Sequence, residues 1–193
     1  MHWWRPSPEK RFRRDKYADW FAHFDRNDNG VLDPSDFEAY AAATAEVLGL
    51  DPADASVERL RDATRSLWAA VVGPMDASGD GVVRLDELVG CFVTLEQQVA
   101  AGQALPSWAR ELVQALFAVL DVDETGDICL GEYRTYLRTL GAEADPAESF
   151  ASLDADGDGR IPFEEIERLF LDWLTVGRQG SAGNLLLTGR EPS

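Results

Sequence analysis

Apolar residues recur at helical spacing along this chain, in stretches separated by short acidic gaps that carry glycine. Tyr17, Trp20, Phe21 and Phe24 share one face, and Phe37, Tyr40, Thr44 and Leu48 share another until Gly49 stops the helix. The same period runs through Leu60, Thr64, Leu67 and Trp68, then through Leu88, Phe92 and Leu95. It continues in Leu112, Leu116, Phe117 and Leu120, and in Tyr133, Leu137 and Leu140 before Gly141. Asp145-Pro146-Ala147-Glu148 has the form of a helix start, with a capping side chain and proline in the first turn, and Phe150 and Leu153 follow on one face. Ile166, Leu169, Phe170 and Trp173 mark a last amphipathic stretch. The pattern predicts an all-α chain, and no apolar run approaches the length needed to cross a bilayer.

The gaps repeat. Asp25-Arg26-Asn27-Asp28-Asn29-Gly30 returns in altered form as Asp76-Ala77-Ser78-Gly79-Asp80-Gly81, as Asp121-Val122-Asp123-Glu124-Thr125-Gly126 and as Asp154-Ala155-Asp156-Gly157-Asp158-Gly159. Two residues after each closing glycine stands an aliphatic residue: Leu32, Val83, Ile128 and Ile161. Six residues after it stands a carboxylate: Asp36, Glu87, Glu132 and Glu165. Oxygen-bearing side chains at positions 1, 3, 5 and 12, with glycine at 6, form the calcium loop of an EF-hand.

The spacing follows from the ion. Ca²⁺ is a hard cation that takes six to eight oxygens. Positions 1, 3 and 5 deliver side-chain oxygens to one side of a tight turn, and position 7 offers its carbonyl, so Val31, Val82, Asp127 and Arg160 are free to differ. The residue at 12 closes the shell from the outgoing helix, and the aliphatic residue at 8 lets two loops pair through a short bridge. Four helix-loop-helix units in two pairs are therefore expected, packed as a single compact globule. The first pair spans 12–103 with loops 25–36 and 76–87, and the second spans 104–176 with loops 121–132 and 154–165. A segment 1–11 and a tail 177–193 flank them, and Gly102-Gln103-Ala104-Leu105-Pro106 separates the halves.

The four loops are not equal. Loop four offers four carboxylates, Asp154, Asp156, Asp158 and Glu165, with Pro162 at position 9 leaving room for water, and is expected to bind most tightly. Loop three has Asp121, Asp123 and Glu132, with Thr125 as a neutral oxygen; Cys129 at position 9 is too soft a donor for Ca²⁺. Loop one has Asp25, Asn27, Asn29, Asp33 and Asp36, and the short reach of Asp36 favours fewer oxygens and hence competition by Mg²⁺. Loop two, with Asp76, Ser78, Asp80 and Glu87, carries Arg84 at position 9, a cation opposed to a divalent ion unless its long stem turns the guanidinium to solvent.

Charge narrows the reading further. Thirty-five Asp and Glu against 18 Lys and Arg leave a formal charge of −17. That field disfavours nucleic acid as a partner, and four bound Ca²⁺ would reduce it to −9. Without metal the clustered carboxylates repel one another, so a loose, helical, poorly packed metal-free state is expected. The basic stretch Lys10-Arg11-Phe12-Arg13-Arg14 is expected to be a helix face neutralised by the acidic body, and His23 to be structural. Cys91 and Cys129 form no CxxC pair and are expected to be reduced thiols. With neither a secretory signal nor a lipidation motif, a cytoplasmic monomer is expected.

The loops and their uneven spacing resemble the sarcoplasmic calcium-binding proteins and, more closely, their bacterial calerythrin-like relatives, over roughly residues 12–189. The ending Gly183-Asn184-Leu185-Leu186-Leu187 is similar to that family's Gly-Asn-apolar tail, and 16 Arg against two Lys fit a high-GC bacterial source. The resemblance implies a compact two-lobed helical protein that acts mainly as an intracellular Ca²⁺ buffer or transporter, without catalysis, and whose second loop is frequently degenerate. A Ca²⁺ sensor that exposes an apolar groove to a protein target is the alternative. Sensors of that kind use Met-rich surfaces, and this chain has two Met in all. A luciferin-binding photoprotein is a remote alternative, because both histidines precede residue 25.

Overall fold

The structure, a computed structural model, describes residues 8–53, 55–142, 144–175 and 182–188. Each apolar stretch forms a helix and each acidic gap a loop. Loop one lies between α1 (Pro8–Phe24) and α2 (Pro34–Leu48), and loop two between α3 (Ala55–Met75) and α4 (Leu85–Ala100). Loop three lies between α5 (Ser107–Leu120) and α6 (Leu130–Thr139), and loop four between α7 (Pro146–Leu153) and α8 (Phe163–Thr175). A further short helix, α9 (Ala182–Thr188), follows. Helix α1 begins at Pro8, earlier than the boundary at 12 read from the apolar period, because Pro8 and the charged residues after it form an apolar-poor first turn that carries no periodic signal.

The helix limits have local causes. Asp33 caps α2 by accepting from the Ser35 N–H at 2.7 Å, with Pro34 in the first turn. Gly49 ends that helix in the left-handed conformation (φ 67°), where a Cβ would be strained. Asp145 caps α7, accepting from the N–H groups of Ala147 and Glu148 at 2.9 Å each. Pro162 lies in the loop bridge, one residue before α8 starts.

The position-8 residues pair the loops. β1 (Val31–Leu32) runs antiparallel to β2 (Val83–Arg84), with Leu32 opposite Val83, and β3 (Asp127–Cys129) to β4 (Arg160–Pro162), with Ile128 opposite Ile161. All four aliphatic side chains are buried.

The two halves share one core. α3 packs on α5, α2 on both α3 and α6, and α5 on α8. Tyr40 Oη lies 3.4 Å from Thr139 Oγ1 across the halves. α1, α4 and α8 meet around four rings: Tyr17 lies 5.1 Å from Phe92 and 5.3 Å from Trp173, Phe92 lies 5.2 Å from Trp173, and Trp20 meets Phe92 edge-on. Lys16 is fully buried beside them, donating to the carbonyls of Trp173 and Leu174 at the end of α8. Its ammonium sits over the Tyr17 and Trp173 rings, which offset part of the desolvation.

α9 closes the assembly against α8, α1 and α7, burying Leu186 and Leu187. The contact depends on Gly183. A Cβ there would stand 2.3 Å from the Leu169 carbonyl oxygen and 2.6 Å from the Trp173 backbone nitrogen. The basic stretch of α1 is neutralised as expected: Arg13 pairs with Glu96 at 2.8 Å and Arg14 with Asp86 at 3.0 Å. Both cysteines are free thiols.

Candidate metal centre

All four loops are built on the same hydrogen bond. The position-6 glycine N–H donates to the position-1 carboxylate: Gly30 to Asp25 at 2.9 Å, Gly81 to Asp76 at 2.9 Å, Gly126 to Asp121 at 3.0 Å and Gly159 to Asp154 at 2.8 Å. Each of these glycines has φ between 81° and 87°, a region closed to most side chains. The turn so formed brings positions 1, 3 and 5 to one side.

In loop three, Asp121, Asp123 and Glu132 offer carboxylate oxygens within 4.8 Å of one another. In loop four, Asp154, Asp156 and Asp158 do the same. The Thr125 hydroxyl lies 3.1 Å from the Asp127 carbonyl, so the neutral position-5 and position-7 oxygens of loop three converge as well.

Position 12 distinguishes the loops. In the first three, its carboxylate accepts the position-9 N–H: Asp36 from Asp33 at 2.9 Å, Glu87 from Arg84 at 3.0 Å and Glu132 from Cys129 at 2.9 Å. The other oxygen accepts from the start of the loop, through Arg26 and Asn27, Ser78, or Val122 and Asp123 respectively. In loop four, position 9 is Pro162, which has no N–H to give. Glu165 Oε2 is buried with no hydrogen-bond partner, and Oε1 meets Arg168 at 3.5 Å. A buried carboxylate oxygen without a donor is costly, and a hard cation held by Asp154, Asp156 and Asp158 would offset that cost if Glu165 also turned to it. The donor set is all oxygen and fits Ca²⁺ or Mg²⁺.

Loop one is more self-contained. Asp36 is fully buried and both its oxygens are bonded, one of them by the Asn27 amide at 2.9 Å. Burial raises its pKa despite those bonds. Asp33 is spent on the helix cap and on the Ser35 hydroxyl at 2.6 Å. Asp25, Asn27 and Asn29 line the turn, and Asn29 accepts the Val31 N–H at 2.9 Å.

Loop two carries its cation at position 9. Arg84 is exposed, and at the surface of the loop its guanidinium folds back onto Asp80. Its Nη1 donates to Asp80 at 2.7 Å and lies 3.9 Å from Glu87 Oε2. The guanidinium holds the Asp80 carboxyl below its ordinary range, and the Gly81 N–H does the same for Asp76.

His23 is held between the Phe24 and Tyr40 rings at 4.9 and 5.1 Å, and burial, then the nearby Arg26 charge, pushes its pKa down to about 3. It is a neutral packing residue. Val31, Val82, Asp127 and Arg160 stand at position 7 on or beside the bridges, and Arg160 crosses to the Asp127 carboxylate at 3.2 Å. Arg84's role inside loop two was not legible from spacing, although a cation at position 9 was the signal.

A family model described as EF hand matches residues 18–39 and 147–171. Calerythrin from Saccharopolyspora erythraea is 27% identical over 156 residues, 79% of this chain and 86% of that protein. Among solved structures, a sarcoplasmic calcium-binding protein from amphioxus superposes with a TM-score of 0.69 at 25% identity, covering 94% of this chain and 98% of that one. A Streptomyces coelicolor calcium-binding protein gives a TM-score of 0.65 at 27% identity, covering 84% and 98%. The coelenterazine-binding protein of Renilla muelleri shares the fold (TM-score 0.71) at 17% identity, covering 95% and 98%. Repeated loops, paired bridges and these likenesses agree: the chain belongs to the EF-hand family, and within it is calerythrin-like and sarcoplasmic calcium-binding-protein-like.

Proposed function

We propose that this chain binds Ca²⁺ in loops 25–36, 121–132 and 154–165, and serves as a cytoplasmic calcium buffer or carrier rather than as an enzyme. The observation that carries the reading is the convergence of Asp154, Asp156 and Asp158 in a loop whose position-12 residue, Glu165, keeps a buried oxygen without a hydrogen-bond donor. Loop three supports it with the same carboxylate convergence, and the names of the relatives point to the same ion. Loop one is the place where Mg²⁺ competes, because its position-12 carboxylate is short and already held by three donors.

Buffering is favoured over sensing by where the apolar surface lies. Met75 is buried, and among the described residues Val47 is the one large hydrophobic side chain that is exposed. A sensor opens one pair of hands to bare a groove. Here α2 and α3 of the first pair are packed on α5 and α6 of the second, so opening either pair breaks the common core. The four rings that meet between α1, α4 and α8 occupy the centre, which speaks against a chromophore there.

Hydrophobic-dye fluorescence during a calcium titration of the chelator-stripped chain tests the reading. Binding that orders a loose metal-free state lowers dye fluorescence. A rise on calcium addition would establish the sensor instead.

A further inference from the structure

We propose that residues 1–14 carry a docking site for an anionic lipid bilayer, so that this chain attaches peripherally to membranes through the first turns of α1 and the residues before it. The inference uses no part of the calcium reading and is tested separately from it.

Charge is divided unevenly along the chain. Residues 1–14 hold five of the 18 Lys and Arg and one of the 35 Asp and Glu, a balance of +4 against −21 for residues 15–193. Such a separation of sign marks a segment that meets a surface the acidic body does not. Only one of the cations is committed internally at a sheltered site: Arg13 pairs with Glu96 at 2.8 Å, a side chain only 10% exposed. Lys10, Arg11 and Arg14 are exposed, and at 3.6 residues per turn they fall within about 100° of one another around α1. Arg14 meets Asp86 at 3.0 Å, but the two side chains are 55% and 82% exposed. A pair so solvated is weak and yields to a competing anion.

The tryptophans select the partner. Of the six, Trp20 and Trp173 are buried in the core, and Trp68 and Trp108 pack against it. Trp3 and Trp4 precede α1, outside the described residues, and are followed by Arg5. Indole beside guanidinium is the chemistry of the bilayer interface, where the ring lies among the headgroups and the cation meets lipid phosphate. A soluble acidic protein would use the charges but give the indoles no apolar medium. A nucleic acid would need a longer basic track than this segment carries. Among the described residues no helix is long and apolar enough to cross a membrane, so the contact is with the surface.

The test is co-sedimentation of the full chain with vesicles of phosphatidylglycerol or of phosphatidylcholine, each in chelator and in calcium. The wild type sediments with phosphatidylglycerol in both conditions, stays in solution with phosphatidylcholine, and is released by raised salt. Lys10→Ser combined with Arg11→Ser weakens the binding roughly thirtyfold, and Trp3→Ser combined with Trp4→Ser weakens it about tenfold or more. Circular dichroism shows that each double variant is folded. Calcium uptake by equilibrium dialysis is the same in all three proteins, which keeps this inference distinct from the calcium reading. A folded wild type that ignores phosphatidylglycerol vesicles overturns the proposal. So does sedimentation that requires calcium and is unaltered in both double variants, which is ion bridging between the acidic body and the lipid. Binding to soluble poly-glutamate or to single-stranded DNA as tight as to the vesicles, with Trp3 and Trp4 dispensable, overturns lipid as the partner.

Discussion

Two glycine-to-alanine substitutions in helices should move stability in opposite directions, and the difference reports whether α9 is docked as described. Gly183 lies where α9 crosses α8, and a Cβ built there meets the Leu169 carbonyl at 2.3 Å, the Trp173 nitrogen at 2.6 Å and Trp173 Cβ at 2.7 Å. These are backbone atoms or the root of a buried side chain, so none of them can swing away. Restoring ordinary contact requires α9 to retreat by about 1 Å, which loosens Leu186 and Leu187, now 2% and 3% exposed. Strain of this kind costs about 1–3 kcal/mol. Full undocking, which exposes two leucines at about 1.5–3 kcal/mol each, sets the upper bound at roughly 3–6 kcal/mol. Gly90 is the control. It sits on the exposed face of α4 with nothing within 4 Å of its would-be Cβ, so Gly90→Ala should stabilise by about 1 kcal/mol through helix propensity. Urea unfolding of the calcium-saturated chain, followed by circular dichroism, measures both. An unchanged or raised midpoint for Gly183→Ala would refute the close crossing of α8 and α9.

Three other substitutions probe the loops and the core. Glu165→Gln removes the position-12 carboxylate, whose Oε2 is buried without a donor while Oε1 pairs with Arg168, so loop four should lose calcium affinity by roughly 10–100-fold or more, read from the Gly159 amide shift. Asp36→Glu lengthens the position-12 reach of loop one, and calorimetry with and without millimolar Mg²⁺ should show calcium gaining on magnesium there; an unaltered ratio would remove side-chain length as its cause. Lys16 has its pKa pulled down to about 8, burial outweighing the opposing pulls of Glu96 and Asp172. Between about pH 8 and the unfolded value near 10.4 the unfolded chain binds the extra proton, so stability rises with pH across that window by about 3 kcal/mol. Lys16→Met should lack this rise, and parallel pH profiles for wild type and variant would contradict the buried ammonium.

Much of the fold could be read from local spacing, because its rules are local. The position-8 aliphatics predicted the Leu32–Val83 and Ile128–Ile161 pairings, which the bridges have. Gly49 and Asp145 ended and began their helices as their chemistry requires. What the pattern could not supply was which apolar face meets which. Nothing in the period of α3 says that it lies on α5, since any two such faces bury equal area. Lys16 gives no sign of its place in the sequence, because it is buried against carbonyls 157 and 158 residues away that have no mark in its own neighbourhood. Gly183 likewise reads as a poor helix former until the distance to Leu169 is known. In the loops, the use of Asp33 as a cap and the pairing of Arg84 with Asp80 depend on which way each side chain turns.

Calcium capture by the acidic loops is most directly tested by equilibrium dialysis of the chelator-stripped, full-length chain against radioactive calcium in the presence of millimolar magnesium. The site geometry predicts tightly held calcium in loops three and four, with a third, magnesium-sensitive ion in loop one. Recovery of no bound isotope from a folded chain would contradict it.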